Sequence, residues 1–292
     1  MYNLIHVFKH SIKRSLTCAF AVISAIFTVT PEAIYESKEW VSKKTLDNFD
    51  CLSCFEAKDI NIIISRVALF IVIWLATVAL CVIYKSICKK ITIKGDNYSI
   101  CVEYGDILKT KNCKPVIPFD ECFTTTVGNG IGDINPTSIC GQYLKLHPDL
   151  NIEQLISVAG ITPERGKSKY ENKTRYKSGT IVPNGDDLLL AFAKLDARGK
   201  GHFATRDEYL ECLDIMWQEI EYHYSEKDVC IPILGSGTTV FEGGSGASYD
   251  QQELLDMIIL SYKLSSHKIK SPHKLRIICK DTPDFSIFNV KA

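Results

Sequence analysis

Two long apolar stretches near the start of the chain most restrict what it can fold into. They run over residues 15–30 and 67–83, and neither contains a charged side chain. Extended to about 15–34 and 62–84, each matches the roughly 20 residues that a helix needs to cross a bilayer core. Arg66 then lies near an interface, where its long stem can reach water. The sequence therefore predicts a two-helix transmembrane hairpin within residues 1–90.

Two alternatives to this hairpin stay open at this point. The first stretch follows Lys9, Lys13 and Arg14, as the apolar part of a signal peptide would. No convincing small-x-small cleavage site follows it, and a second span so soon afterwards favours an uncleaved hairpin. Both stretches could instead be buried core helices of a soluble protein.

Basic residues near the spans predict the orientation. Lysines and an arginine precede the first span and lysines follow the second, whereas the connecting loop of about 31–59 holds seven acidic residues and four lysines. Cytoplasmic flanks are enriched in Lys and Arg. We expect a multi-pass protein of the cell membrane with both termini, and residues 91–292, in the cytoplasm.

The charge balance argues against nucleic-acid binding. The chain has 34 basic and 34 acidic residues; residues 1–90 hold 11 and 7 of them, so the remainder, with 23 and 27, has a net charge of −4. A domain with this balance lacks the basic surface that grips phosphate backbones.

Cysteine spacing predicts neither a metal site nor a disulfide framework in residues 91–292. Seven of the 12 cysteines lie there at irregular intervals, and in a reducing compartment we expect them to be small apolar residues. Cys51 and Cys54 form a lone CxxC in the predicted exported loop, and their redox state is left open.

From residue 91 onwards, strand and helix patterns alternate. Predicted strands cover 91–93, 98–102, 114–119, 180–183, 187–195, 228–234 and 274–279, and predicted helices cover 207–224 and 250–266. The polar segment 164–179 is expected to be a mobile surface loop. Alternating strands and helices predict an α/β domain whose sheet is covered on both faces.

Three segments are candidates for a binding site. Asp106 follows Gly105 at a strand end, where its carboxylate could accept a hydrogen bond from an exocyclic amine. The segment 128–133 clusters three glycines, which let a backbone approach a ligand closely. The segment 232–239 runs from a buried strand into Gly-Ser-Gly, whose amides could form an anion-binding nest, with hydroxyl donors on Ser236, Thr238 and Thr239. Each segment alone could also be an ordinary turn.

Taken together and in this order, the segments resemble a macro domain, the ADP-ribose-binding module. The resemblance implies a three-layer α/β/α fold with a mixed sheet, with residues 91–292 forming the macro domain. It assigns Asp106 and Ile107 to adenine and Phe241 to the adenosine end, and two loops to the diphosphate. Those loops are formed by Gly128, Asn129, Gly130, Ile131, Gly132, and by Leu234, Gly235, Ser236, Gly237, Thr238 and Thr239.

With the two spans, the chain resembles more narrowly the membrane-anchored macro effectors of bacterial Thoeris antiviral systems. The motifs VEYGDIL, GNGIGDINPTSICGQYL and IPILGSGTTVFEGGSGAS carry this resemblance. It implies that a TIR-domain partner makes an ADP-ribose-derived signal, which the protein binds before it self-associates and damages the lipid membrane. No cofactor or metal is implied.

One departure from the macro-domain pattern favours a receptor over an enzyme. Hydrolytic macro domains carry a catalytic asparagine after the second strand, and the matching segment 118–123 has none. We therefore expect no catalytic residue; Asp120 is a candidate ligand contact, and Glu121 is either a ligand contact or a solvated charge. The alternatives are a membrane-tethered ADP-ribosyl hydrolase and a passive anchor that recruits ADP-ribosylated partners.

Overall fold

The computed structural model describes residues 20–22, 24, 40–41, 56–241, 249–283 and 285–291. The chain divides into two compact units, residues 1–89 and 90–292. Most of the predicted first span and of the loop after it, including Cys51 and Cys54, falls outside the described residues.

In its described residues, the first unit contains one long helix, α1 (Ala57–Ile87). Within the described residues, it is the one helix long and apolar enough to cross a membrane, over Lys58–Tyr84 with a mean hydropathy of 2.8. The predicted second span, 62–84, lies entirely inside it. This candidate span is identified by its length and composition alone, and the two-helix hairpin stays a prediction.

The second unit is built on a mixed sheet of nine strands in its described part, in the order β1-β2-β9-β7-β3-β5-β6-β8, with β4 also paired to β5. The five central strands, β2, β9, β7, β3 and β5, are parallel; β1, β4 and β6 pair antiparallel, and β8 is parallel to β6. The strands are β1 (Lys90–Lys94), β2 (Ser99–Tyr104), β3 (Cys113–Asp120), β4 (Ile181–Asn184), β5 (Asp187–Leu195), β6 (Gly201–Phe203), β7 (Asp228–Pro232), β8 (Val240–Phe241) and β9 (Leu275–Cys279).

Helices cover both faces of this sheet. They are α2 (Ile139–Leu146), α3 (Ile152–Val158), α4 (Arg206–His223) and α5 (Gln251–Leu264), with 3-10 turns at Ile107–Lys109 and Ile287–Asn289. Alternate strand residues point to opposite faces. Accordingly, Val116 and Leu188 pack in one core with α4 and α5, whereas Ile117 and Leu189 pack in another with α2 and α3. The expected three-layer α/β/α fold with a mixed sheet is confirmed.

The elements that the sequence pattern missed are short. Helices α2 and α3 have eight and seven residues, and strands β6 and β8 have three and two, too few for a periodicity to stand out. The start of α2 is nevertheless specified locally, since the side chain of Ser138 caps this helix by accepting a hydrogen bond from the amide of Gly141.

Two sequence expectations are wrong in this unit. The sulfurs of Cys113 and Cys230, on the neighbouring strands β3 and β7, are paired as a disulfide, so these two are not isolated apolar residues. The segment 164–179 is not a loop confined to the surface, because Ser168 within it is only 1% exposed and its hydroxyl donates to the carboxylate of Glu121.

Candidate functional site

A cleft of about 1510 Å³ lies where the parallel strands end. The last residue of each central strand, or the residue just after it, lines this cleft, as Gly105, Asp120, Leu195, Ile233 and Lys280 show. Parallel strands place their carboxyl ends at one edge of a sheet, and ligands of α/β proteins bind there. Segments far apart in sequence therefore meet at this edge.

Asp106 stands at one end of the cleft. The chain continues the sheet as far as Gly105, whose amide donates to the carbonyl of Cys279 at 3.0 Å. Asp106 then begins a 3-10 turn, with its Oδ1 accepting from the amide of Leu108 at 3.1 Å and Lys109 Nζ 3.2 Å from its Oδ2. The carboxylate side chain remains 44% exposed, so it can accept a further hydrogen bond from a ligand.

The glycine loop, residues 128–132, folds tightly around Asp133. The amide of Gly130 donates to Asp133 Oδ2 at 2.8 Å, and a Cβ added at Gly128 or Gly130 would lie 2.3 or 2.6 Å from that oxygen. Only glycine fits at those two positions without displacing the carboxylate. In the described structure, the amides of Asn129 and Ile131 donate no hydrogen bond, which leaves them available to an anion.

The second loop, residues 235–239, turns sharply after β7. Gly235 has a φ of +86°, a backbone conformation that glycine adopts at little cost. The hydroxyl of Ser236 donates to the carbonyl of Ile233 at 2.7 Å in this structure, and its predicted role as a donor to a ligand stays a prediction. Among the described residues, the amides of Gly237 and Thr238 have no hydrogen-bond acceptor.

Three cationic side chains that the sequence pattern did not single out also line the cleft. Arg198 and Lys200 lie on the turn after β5, which Asp196 stabilises by accepting from both their amides at 2.8 and 2.9 Å. Lys280 follows β9. The three are exposed, and in the described part of the chain no carboxylate forms an ion pair with them. They place three positive charges in a lining that also holds Asp106, Asp120 and Asp133, and each can attract an anionic group of a ligand.

Burial raises the pKa of two titratable groups that line the cleft, Asp120 and Cys140. Asp120 ends β3 and is buried, with its Oδ1 accepting from the amides of Cys122 and Thr124 at 2.8 and 3.1 Å. Burial nevertheless raises the pKa of this carboxyl above its usual value. Burial also raises the pKa of the Cys140 thiol well above its usual value, so this cysteine is not a ready nucleophile.

Thirteen of the fifteen predicted site residues line this one cleft, and their contacts with a ligand stay a prediction. Gly128 and Phe241 do not line it. Phe241 is buried and packs its ring against Phe203, Tyr209 and Tyr249 at centroid distances of 5.8, 5.4 and 5.0 Å. The expectation that this aromatic packs on an adenosine is therefore not met in this structure, where it supports the second loop from behind.

Glu121 is neither a ligand contact nor a solvated charge, contrary to both sequence-based readings. It is 1% exposed, and its Oε1 accepts from the hydroxyl of Ser168 at 2.6 Å and from the amide of Leu195 at 3.1 Å. Arg175 Nη1 lies 4.0 Å from its other oxygen. The side chain ties segment 164–179 to the ends of β3 and β5.

Comparison with known proteins agrees with this architecture. The family model described as the Macro domain of the Thoeris protein ThsA matches residues 100–280. The Thoeris protein ThsA of Bacillus amyloliquefaciens (strain Y2) is 30% identical over a 203-residue alignment that covers 64% of this chain and 64% of that protein. The chain thus spans a little under two thirds of the length of this curated relative.

Solved structures of macrodomains are also similar. An Oceanobacillus iheyensis macrodomain with ADP matches with a TM-score of 0.42 and 10% identity, covering 68% of this chain and 92% of that one. The macrodomain of Thermus aquaticus DarG matches with a TM-score of 0.36 and 13% identity, covering 63% and 98%. The family match covers more than half of the sequence, and this chain therefore belongs to the Thoeris ThsA macro-domain family.

Proposed function

We propose that the cleft binds an ADP-ribose-derived nucleotide and that the protein is a receptor-type effector of Thoeris antiphage defence. The observation that carries this proposal is the convergence of two loops with unused backbone amides on one cleft, with a carboxylate at its end. Such amides bind phosphate oxygens without a dedicated side chain. Family membership supports the same ligand class.

In this proposal, the two loops and Asp106 bind different parts of the ligand. The amides of Gly237 and Thr238 and those of Asn129 and Ile131 bind the diphosphate, and Asp106 accepts a hydrogen bond from the adenine amine. A base without an amine at this position would lose the hydrogen bond to the carboxylate, which gives Asp106 a role in specificity.

The three cationic side chains in the lining also favour an anionic ligand. A diphosphate carries two negative charges, and Arg198, Lys200 and Lys280 are exposed where they line the cleft. Cations in a cleft raise the local concentration of an anion and speed its association. We expect binding to weaken as the salt concentration rises, because exposed charges are screened.

Several features favour a receptor over a hydrolase. No histidine is among the described residues that line the cleft, Cys140 is held as a thiol, and both hydrogen bonds of Asp120 Oδ1 hold the local backbone. A general base must reach the proton that it removes, and Oδ1 of Asp120 is engaged with its own turn. Turnover of an ADP-ribosylated substrate that Asp120→Ala abolishes would establish the hydrolase instead.

In the proposed sequence of events, a TIR-domain partner makes the signal, the macro domain binds it, and the chains self-associate and disrupt the membrane in which α1 and the preceding apolar stretch are inserted. A ligand can drive assembly only if it binds the assembled state more tightly than the resting state. Contacts that the nucleotide and its two loops make only in the assembled state would supply that difference.

Calorimetry with ADP-ribose tests the binding step. Asp106→Ala should weaken binding by about 5- to 150-fold, corresponding to roughly 1–3 kcal/mol for a lost hydrogen bond to a charged acceptor. Asp96→Ala is the matched control, because Asp96 is exposed in the turn between β1 and β2, at the other end of β2 from the cleft. Equal binding by both variants and the parent would refute the site.

A membrane-potential measurement tests the effector step. Cells that express the full chain should depolarise when an active TIR partner is supplied, and cells expressing Asp106→Ala should not. Binding without depolarisation would instead support a passive anchor.

A further inference from the structure

The segment 164–175 forms a basic hairpin that reaches the cleft. Its two arms pair through the amides of Glu164 and Ser168, which donate to the carbonyls of Arg175 and Lys173, both at 2.9 Å. The arms also form an antiparallel bridge between Lys167 and Thr174. The hairpin therefore has a defined shape, with its tip at residues 169–172.

Tyr170 at this tip contacts two segments that line the cleft, the glycine loop and the turn after β5. Its hydroxyl donates to the carbonyl of Ile131 in the glycine loop at 2.7 Å. A Cβ added at Gly132 would lie 2.4 Å from the Tyr170 ring, and one added at Gly199 would lie 2.6 Å from Gly132 Cα and 3.1 Å from that ring. The hairpin tip, the glycine loop and the turn after β5 thus meet at van der Waals contact.

A chain of hydrogen bonds connects this contact to the rigid sheet. Glu121, just after β3, accepts from the hydroxyl of Ser168 at 2.6 Å, and that hydroxyl accepts from the amide of Tyr170 at 3.3 Å. Tyr170 then donates to Ile131, whose side chain is 77% exposed. An exposed loop with few buried contacts opens easily unless it is held from outside.

We propose that Tyr170 is a positioning residue of the nucleotide site. It holds the glycine loop against the turn after β5, so the amides of that loop face the cleft before the ligand arrives. Preorganisation of this kind raises affinity because less ordering is required on binding. This inference rests on the proposed function, since it assigns Tyr170 to the site where the diphosphate is expected to bind.

Tyr170→Phe tests the hydroxyl alone, because it keeps the ring that packs on Gly132. We expect the ADP-ribose Kd to rise about 2- to 12-fold, mainly through faster dissociation. We also expect amide hydrogen exchange at 129–132 to become faster in the free protein, with an unchanged melting temperature. Tyr222→Phe is the control, because Tyr222 is 83% exposed on α4 and does not line the cleft.

Gly199→Ala tests the same contact by a different perturbation. Gly199 and Gly185 both have positive φ angles, +71° and +63°, so alanine is strained to a similar degree at either position. At Gly185, however, an added Cβ meets no atom within 4 Å. We expect roughly tenfold weaker ADP-ribose binding by Gly199→Ala, from overpacking, and unchanged binding by Gly185→Ala.

The outcomes separate this inference from the proposed function. If the parent binds ADP-ribose and Tyr170→Phe shows the same Kd and the same exchange at 129–132, the positioning role is wrong. If the parent does not bind ADP-ribose, the proposed function fails, and the exchange rates of the free proteins still decide whether Tyr170 holds the loop.

Discussion

Two glycines of the second loop should respond in opposite ways to substitution. At Gly235, with its φ of +86°, an added Cβ would lie 2.9 Å from Phe241 Cζ and 3.5 Å from Leu254 Cδ2. At Gly237 an added Cβ meets no atom within 4 Å, and Gly237 lines the cleft. The first glycine is required by the fold, and we expect the second to be required by the ligand.

The expected magnitudes follow from these contacts. Gly235→Ala places a side chain in the left-handed region, at about 1–2 kcal/mol, and overpacks the Phe241 ring, at about 1–3 kcal/mol. The free energy of unfolding should therefore fall by roughly 2–5 kcal/mol, and the melting temperature by about 4–20 °C for a domain of this size. Gly237→Val should change stability by less than about 0.5 kcal/mol, as substitutions at open surface positions do.

Thermal unfolding and calorimetry with ADP-ribose, both on the full chain, check the pair. Gly237→Val should melt like the parent and bind ADP-ribose at least about tenfold more weakly, because its branched side chain occupies the space proposed for the diphosphate. If Gly237→Val bound like the parent, the amides of this loop would not face the ligand. If Gly235→Ala melted like the parent, the packing argument itself would be wrong.

Two further predictions concern the buried carboxylates beside the cleft. Glu121→Ala leaves the hydroxyl of Ser168 and the amide of Leu195 without their acceptor, so denaturant unfolding should show a loss of about 3–5 kcal/mol; Glu121→Gln, which keeps an acceptor oxygen, should lose less. Burial raises the pKa of Asp120 above its ordinary 3.8, so the folded state binds this proton more tightly. The stability due to that proton is present below pH 3.8 and lost as the pH rises through the folded pKa. Asp120→Asn should therefore raise the melting temperature at pH 7 but not near pH 3.5, and a difference independent of pH would contradict this assignment.

Much of the fold could be predicted because long elements carry their own pattern. The run of apolar residues in β5 and the helical period of α4 and α5 are visible locally, and their alternation implies a covered sheet. Short elements such as α3 and β8 carry too few residues for a period, and long-range packing determines them.

The candidate site likewise has a part that the sequence predicts and a part that it does not. Clustered glycines mark the two loops in the sequence, because close backbone approach needs residues without a side chain. Arg198, Lys200 and Lys280 carry no such mark, since any surface turn holds lysines and arginines. Only the strand order places these cations in the cleft.

The chain itself thus determined the apolar stretches, the strands and helices long enough to show a period, and the glycine loops, since these properties depend on neighbouring residues. The tertiary structure decided which side chains surround the cleft. It buried Glu121 and Phe241 away from any ligand, and it brought Tyr170 from a polar segment onto the glycine loop. Such contacts bring together residues as far apart in the sequence as Gly105 and Cys279, and many of them form where parallel strands end side by side.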